Sequence, residues 1–171
     1  YMEMLDRAVK AIKEGRTPNI EDALDTGIDI NLRIPALIPD DYLPDVHTRL
    51  MMYKRIAGAD SDDGLRELQV EMIDRFGLLP EPTKSLFKIN SLKLKAQQLG
   101  IKKLEASAKS GRIEFASVTQ VDPLTIVKLV QSQPQRYRLE GGSHFKFSLD
   151  MDNGEARIQR VTDLLQQLSA A

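Results

Sequence analysis

Apolar residues recur every three or four positions through the first half of the chain, a spacing that predicts amphipathic helices. After position 35 the pattern predicts three helices, at Val46–Ala57, Asp62–Phe76 and Glu81–Leu99. The inward residues of the first are predicted to be Val46, Leu50, Tyr53 and Ala57. Asp45 and either Ser61 or Asp62 are suitable N-caps for the first two helices. A glycine directly after each helix, at positions 58, 77 and 100, is expected to end it.

The period changes to strict alternation at five places, which predicts half-buried strands. The predicted strands cover residues 28–34, 101–107, 112–116, 136–140 and 145–149. Two further helices are expected, one from Asp122 to about residue 133 and one over residues 155–168. The chain is therefore predicted to be α+β, with N-terminal helices followed by a small, mostly antiparallel sheet flanked by helices in the order β-β-α-β-β-α.

The N-terminal region is predicted to be a helical arm and linker, separate from the domain that follows. Met2, Leu5, Val9 and Ile12 fall on one side of a predicted helix over residues 2–15, and a polar linker follows at residues 16–25. Because the chain is already helical in pattern at its first residue, we expect it to be a piece of a longer protein. We divide it into an arm and linker at 1–27 and a C-terminal domain at 28–171.

Composition limits the classes of function. The net charge is −1, whereas a dedicated nucleic-acid-binding domain usually carries a basic surplus. Without cysteine, and with only two histidines, the chain has no predicted metal site or thiol nucleophile, and a reducing, cytoplasmic location fits. No G-x-x-x-x-G-K-[ST] loop occurs, no cofactor is predicted, and no apolar run is long enough to span a membrane.

One charged helix face is a candidate site. Glu67, Glu71, Asp74 and Arg75 are spaced three and four residues apart, so they share the side of their helix opposite Leu65, Leu68 and Met72. The simpler interpretation is a solvated face with a Glu71–Arg75 pair worth about 0.3–0.5 kcal/mol. The functional alternative is an acidic docking surface for a partner that presents arginines.

Two other functions are weaker hypotheses. Lys84, Lys88 and Lys95 line one side of the third helix and are able to contact DNA phosphates, although no aromatic residues interleave with them for base stacking. An independent enzyme is the third alternative. It has the least support, because no nucleophile, metal or nucleotide motif is present.

The residues around the charged face also carry a family resemblance. The segments LIPDDYLPDVHTRLMMYKRIAGA, ELQVEMIDRFGLLPEP, LGIKKLEAS and GRIEFA resemble the C-terminal domain of the bacterial transcription-repair coupling factors (Mfd). The similarity extends from about Ile28 to Leu168. The pieces I-P-D-x-Y-[IL]-P-D and [ED]-R-F-G-x-[LM]-P are specific in combination. Residues 1–15 resemble the end of the helical element that follows the motor domains of that family.

The resemblance implies a regulatory role. Members of the family are ATP-dependent translocases on double-stranded DNA that dislodge stalled RNA polymerase and recruit nucleotide-excision repair through UvrA. Their C-terminal domain docks on an N-terminal UvrB-like module of the same protein and masks its UvrA-binding surface. ATP and Mg belong to the upstream motor, so the resemblance implies no cofactor for this chain.

The family motif E-x-x-D-R-F-G also implies site residues. It falls on Glu71, Asp74 and Arg75, and the sequence matches the motif at all three positions. With Glu67 from the residue pattern, these form the predicted intramolecular docking interface. The alternative retained is an accessory DNA-contacting domain of the same translocase.

Overall fold

Residues 28–169 are described in the computed structural model, and they form five helices and five strands. In chain order, these elements are β1 (Asp29–Asn31), α1 (Val46–Ala57), α2 (Asp62–Phe76), α3 (Glu81–Leu99), β2 (Ile101–Ala106), β3 (Ser110–Phe115), α4 (Pro123–Ser132), β4 (Tyr137–Glu140), β5 (His144–Ser148) and α5 (Gly154–Ser169). The predicted α+β class is confirmed. The predicted helix at 2–15 lies outside the described residues, and the division at residue 27 stays a prediction.

The chain forms two compact units, and the division between them falls within α3. The described part of the first unit is Pro35–Ser91. Its proline-rich beginning is extended and is tied to the start of α3. The Leu37 N–H donates to Pro82 O at 3.2 Å, and Thr83 Oγ1 donates to Leu37 O at 3.0 Å. Leu43, Met52 and Met72 are fully buried in this unit, so the extended segment and helices α1 and α2 share one core.

The helix ends of the first unit follow the predicted signals. Asp45 caps α1 through an Oδ2 that accepts from the Thr48 N–H at 3.1 Å. Ser61, rather than Asp62, caps α2 through an Oγ that accepts from the Gly64 N–H at 3.0 Å. Gly77 ends α2 with φ 99°, a backbone conformation that favours glycine. Because these caps satisfy N–H groups that lack a partner within the helix, they fix where each helix starts.

The inward face of α1 differs from the prediction. The sequence pattern placed Val46 and Leu50 inward, but both are exposed, and the buried residues are Met52 and Ile56. The helix is thus rotated by about one residue from the predicted orientation. Tyr53 lies half-buried, where its hydroxyl accepts from the Ile38 N–H at 2.6 Å. This rotation keeps the phenol oxygen beside a backbone donor, which a purely apolar pattern does not reveal.

The second unit, Ile28–Ile34 with the chain from Leu92 onward, contains all five strands in one sheet of order β1-β2-β3-β5-β4. Strand β1 runs parallel to β2, and the other pairs are antiparallel. The first strand is shorter than the predicted 28–34. It ends because Asn31 Oδ1 accepts from the Arg33 N–H at 3.0 Å and Arg33 adopts φ 54°, which turns the chain away.

The two faces of this sheet have opposite character. Its buried face carries Leu104, Ile113, Phe145 and Phe147, all almost fully enclosed, and Tyr137 stacks on Phe145 with ring centroids 5.5 Å apart. Helix α5 contributes Val161, Leu164, Leu165 and Leu168 to the core of the same unit. The alternate residues of each strand are mostly charged and at least partly exposed, as expected for a sheet with one solvated face.

Among residues 28–169, no helix is both long enough and apolar enough to cross a bilayer.

Candidate functional site

The charged face of α2, defined by Glu67, Glu71, Asp74 and Arg75, centres on a carboxylate held by two arginines. Arg55, in the last turn of α1, donates from Nη1 to Glu71 Oε2 at 2.5 Å and from Nη2 to Oε1 at 2.8 Å. Arg75 Nη1 donates to Glu71 Oε2 at 3.2 Å. A two-pronged guanidinium–carboxylate pair fixes orientation as well as distance. Glu71 therefore links α1 to α2 and is the most constrained residue of the face.

The protonation of Glu71 reflects this arrangement. The hydrogen bonds from Arg55, with a further bond from Arg75, lower the pKa of Glu71 to about 2, although partial burial acts in the opposite direction. The same contact raises the pKa of Arg55. Glu71 is consequently ionised throughout the physiological range, and its pair with Arg55 persists until the pH falls far below the ordinary carboxyl range.

Replacing Arg55 with methionine is expected to raise the pKa of Glu71 from about 2 toward its ordinary value of 4.5, because the largest cause of the depression is removed. The rise should be partial, since Arg75 still donates. A carboxyl whose pKa is lowered on folding stabilises the fold above its unfolded pKa, and that contribution is lost as the pH falls through the folded pKa. In the variant this contribution should therefore be smaller, and its loss should start at the same pH but be complete at a higher pH.

Carbon-detected NMR titration of the Glu71 carboxyl measures this pKa directly. Lys54→Met, which removes the exposed cation next to Arg55 in the chain, is the matched control and should leave the pKa near 2. An unchanged pKa in Arg55→Met would show that the cross-helix pair does not persist in solution.

Arg75 is positioned on two sides. Besides its bond to Glu71, its guanidinium lies 4.8 Å from the centre of the Phe76 ring. Phe76 in turn makes an edge contact with Tyr42, whose hydroxyl donates to Gly77 O at 2.7 Å. Cation–π contact of this kind adds about 0.5–1 kcal/mol at exposed sites. The C-terminal end of α2 is thereby fixed, and with it the place at which Arg75 is presented.

Glu67 and Asp74 are different, because neither forms a hydrogen bond or ion pair with another of the described residues. Both are exposed and share one side of α2, two helical turns apart with Glu71 between them. Glu71 is already bound to two guanidinium groups, so the carboxylates with free hydrogen-bonding capacity are Glu67 and Asp74. The sequence pattern treated all three acidic residues as equivalent, and the structure separates them into one anchored and two free groups.

Exposed apolar residues flank the free carboxylates. Val70 and Ile73 on α2 are 54% and 39% exposed, and Leu78, just after the helix, is 84% exposed. At 100° per residue, Val70 adjoins both Glu67 and Asp74 on the helix surface, and Ile73 adjoins Val70. Apolar side chains beside charged ones are typical of a protein interface with a polar rim, whereas a purely solvated face would carry polar groups there.

Arg55 is the functional residue that sequence reasoning missed. It lies 16 positions before Glu71, on a different helix, so the i, i+4 spacing that identified Arg75 carries no information about it. The sequence showed only that Arg55 is a basic residue in the last turn of α1. Basic residues are favoured there by the helix dipole in any case, so its position did not indicate a contact with Glu71.

The other candidate groups are dispersed. Lys84 donates to Glu81 at 3.1 Å, and Lys88 and Lys95 lie further along α3, with Lys88 exposed and Lys95 half-buried. Within residues 28–169, no three histidine or acidic side chains come together as a possible metal site. His144 lies on β5, with Nε2 3.7 Å from Glu114 Oε1, rather than in a turn.

Comparison with known proteins identifies the family. The sequence model of the TRCF domain matches residues 32–126, more than half of the chain. The chain is 48% identical over 168 residues to the transcription-repair-coupling factor of Escherichia coli (strain K12), and 48% identical over 170 residues to that of Haemophilus influenzae. These matches cover 98% and 99% of the chain but only 15% of each relative, so the chain spans a small part of the proteins it matches.

A solved structure gives the same result for the fold. The crystal structure of the C-terminal domain of a transcription-repair coupling factor superposes with a TM-score of 0.70 at 23% sequence identity, covering 83% of this chain and 91% of that one. This match supports the α+β architecture described above, whereas the evidence for family membership comes from the sequence matches. The chain therefore belongs to the TRCF domain family, found in transcription-repair-coupling factors.

Proposed function

We propose that this chain is a regulatory docking domain of a transcription-repair coupling factor, and that it masks the UvrA-binding surface of the N-terminal UvrB-like module of that protein. The observation that carries the proposal is the face of α2, where Glu67 and Asp74 are free carboxylates beside the exposed apolar residues Val70 and Ile73. The parent protein would be the ATP- and Mg-dependent translocase on double-stranded DNA that acts on stalled RNA polymerase in transcription-coupled repair.

The roles of the four residues follow from their geometry. Glu71 holds Arg55 and Arg75 and is thus a positioning residue, whereas Glu67 and Asp74 are available to accept hydrogen bonds from arginines of the docked module. Arg75 keeps part of its guanidinium exposed and is able to meet an acidic group of the partner. Charged contacts of this kind supply specificity and salt sensitivity more than affinity.

A masking contact must also be reversible. Shifting a two-state equilibrium from 1:99 to 99:1 takes about 5.5 kcal/mol, so an engaged partner has to supply only a few kcal/mol to open a moderate contact. A small surface of two free carboxylates, one guanidinium and a few apolar side chains suits that range. A large apolar interface would hold the domain closed too tightly for such a switch.

Double charge reversal, Glu67→Lys/Asp74→Lys, is expected to weaken docking by about tenfold or more at low salt, because two attractive contacts become repulsive. Isothermal titration of the chain into the separately expressed UvrB-like module, at low and high salt, measures this effect. Wild-type binding should itself weaken as salt is raised.

The matched control is Asp41→Lys/Glu155→Lys, which makes the same change in net charge at exposed carboxylates that are not part of α2. It should bind like the wild type. Equal affinities for both double variants and the wild type at low salt would rule out the α2 face as the docking surface. Equal weakening by both variants would show that net charge, and not this face, sets the affinity.

A further inference from the structure

The solvated face of the sheet in the second unit carries cations from adjacent strands in register. Arg112 on β3 pairs with Lys146 on β5, which in turn pairs with Arg138 on β4. Strand spacing is about 4.8 Å, so these three side chains form a continuous row across three strands. Arg33, just beyond β1, lies against the same region. We refer to Arg33, Arg112, Arg138 and Lys146 as the basic strip.

The strip borders an open depression of about 310 Å³. Three of its cations, Arg33, Arg112 and Lys146, line this depression together with one carboxylate, Glu105. Serines at positions 107, 110 and 148 also line it, and Ala106, Gly111 and Phe147 complete the lining. The depression is thus a concave surface with a surplus of positive charge, which is suited to phosphate oxygens.

The nearby carboxylates neutralise the strip only in part. Glu105 lies 3.0 Å from Lys103, so its charge is already matched by a cation outside the strip. Glu140 contacts Lys146 at 3.2 Å and lies 3.8 Å from Arg138. The guanidinium groups of Arg33 and Arg112 form no hydrogen bond or ion pair with any other described residue. Two planar, fully charged forks are therefore free to bind an anion.

Arg33 is held where it is by a buried side chain. Its backbone has φ 54°, unusual for a residue with a Cβ, and its carbonyl oxygen accepts from Nη1 of the enclosed Arg157 at 3.2 Å. Its N–H is also bound, to Asn31 Oδ1. Since both backbone groups are hydrogen-bonded, the starting point of the Arg33 side chain is held next to the end of β1.

We propose that the basic strip binds the phosphodiester backbone of double-stranded nucleic acid. Protein–protein interfaces have an apolar core with aromatic anchors, and this face has none, whereas protein–DNA interfaces are polar and positively charged. The aromatic residues Tyr137, Phe145 and Phe147 are buried, and Phe147, which also lines the depression, is only 1% exposed. Bases of a single strand therefore find no stacking platform, and contact with a duplex backbone, independent of sequence, is favoured.

The proposal is independent of the docking function, because it concerns a different unit of the chain and different residues. The basic strip is also distinct from the lysine side of α3, so the two can be compared directly as DNA-binding sites. The test variant is Arg33→Gln/Arg112→Gln/Arg138→Gln, and the matched variant is Lys84→Gln/Lys88→Gln/Lys95→Gln, which removes the same charge. Fluorescence anisotropy with a labelled random-sequence duplex, over a series of salt concentrations, gives both the affinity and its salt dependence.

The arginine variant is expected to bind the duplex about tenfold or more weakly at low salt, and the slope of log K against log salt should fall by about 3, close to 0.9 per lost phosphate contact. The lysine variant should bind like the wild type. Circular dichroism should show that both variants keep the fold, because the replaced side chains are exposed or, for Lys95, half-buried.

Four results would overturn the proposal: no duplex binding by the wild type at low salt, an unchanged affinity in the arginine variant, a loss confined to the lysine variant, or an equal loss in both. Two competitors test the class of ligand. If oligo-dT displaces the duplex at lower concentration than unlabelled duplex does, the strip prefers single strands. If poly-glutamate does so, the strip is a site for acidic peptides. Both outcomes contradict the assignment.

Discussion

Replacing Arg157 with methionine is expected to lower the free energy of unfolding by about 3 kcal/mol or more, a large part of the stability of a typical domain. Arg157 is 7% exposed and forms no ion pair with a described carboxylate, although its charge helps to lower the pKa of Asp152; its guanidinium donates to backbone carbonyls. Nη1 donates to Leu32 O at 2.8 Å, and Nε and Nη2 donate to Met151 O at 3.2 and 3.1 Å. Methionine fills similar space but leaves these acceptors unpaired.

Urea unfolding followed by circular dichroism measures the change, with exposed Arg160→Met on the same helix as the control. The control should change stability by less than about 0.5 kcal/mol. Arg157→Lys should fall between the two, because an ammonium keeps the charge but does not reproduce the fork that reaches both Leu32 O and Met151 O. If Arg157→Met unfolds like the wild type, the carbonyl cluster is not a stabilising contact of the fold.

Gly100→Ala should also be strongly destabilising, with a loss of about 2–4 kcal/mol. Gly100 follows α3 with φ +77°, where any Cβ is strained, and a Cβ built there lies 2.5 Å from Val118 O and 2.7 Å from the Thr119 Cα. These atoms are backbone, so they are not able to rotate away. The Gly100 carbonyl also accepts from the Ala116 N–H at 2.9 Å, which opposes any shift of the glycine itself.

The turn between β4 and β5 provides graded controls for this prediction. Gly141 has φ +60° but open space around it, so Gly141→Ala should cost only the conformational term, about 1 kcal/mol. Gly142 has open space and no positive φ, so Gly142→Ala should be close to neutral. Thermal melts of the three variants should therefore rank Gly100, Gly141 and Gly142 in order of decreasing loss. A loss at Gly100 no larger than that at Gly141 would show that the crowding is relieved in solution.

Local chemistry explains why much of the architecture could be predicted from the sequence. Asp45, Ser61 and Asp122 each cap a helix with their own side chain, so one or two residues determine where each helix starts. The strands alternate because one side of each is buried in the same core. The candidate face was also visible, because residues three and four apart on a helix must share a side.

Long-range geometry explains what the sequence could not show. The bond from Arg55 to Glu71 joins two helices, and the parallel pairing of β1 with β2 joins distant segments. Neither contact produces a periodic pattern in the sequence. The predicted orientation of α1 was wrong for a related reason. Leu50 and Met52 are both suitable for a core, and the burial of Met52 is settled by tertiary contacts such as the Tyr53 hydroxyl bond. Likewise, Glu71 differs from the free carboxylates Glu67 and Asp74 because it is bound by Arg55, which belongs to another helix and is not part of the α2 pattern.

The parallel strand β1 also has a consequence for the order of folding. Its residue Asp29 pairs with Lys103, 74 positions later, whereas the hairpin of β2 and β3 pairs residues such as Ala106 and Gly111. Closing a flexible loop of that length costs roughly 4 kcal/mol of chain entropy, against far less for the hairpin. The antiparallel strands should thus assemble early and β1 should join late. Until it does, the β2 edge is open to pairing with other chains, and the short segment Asp29–Asn31 covers this edge only once the rest of the sheet has formed.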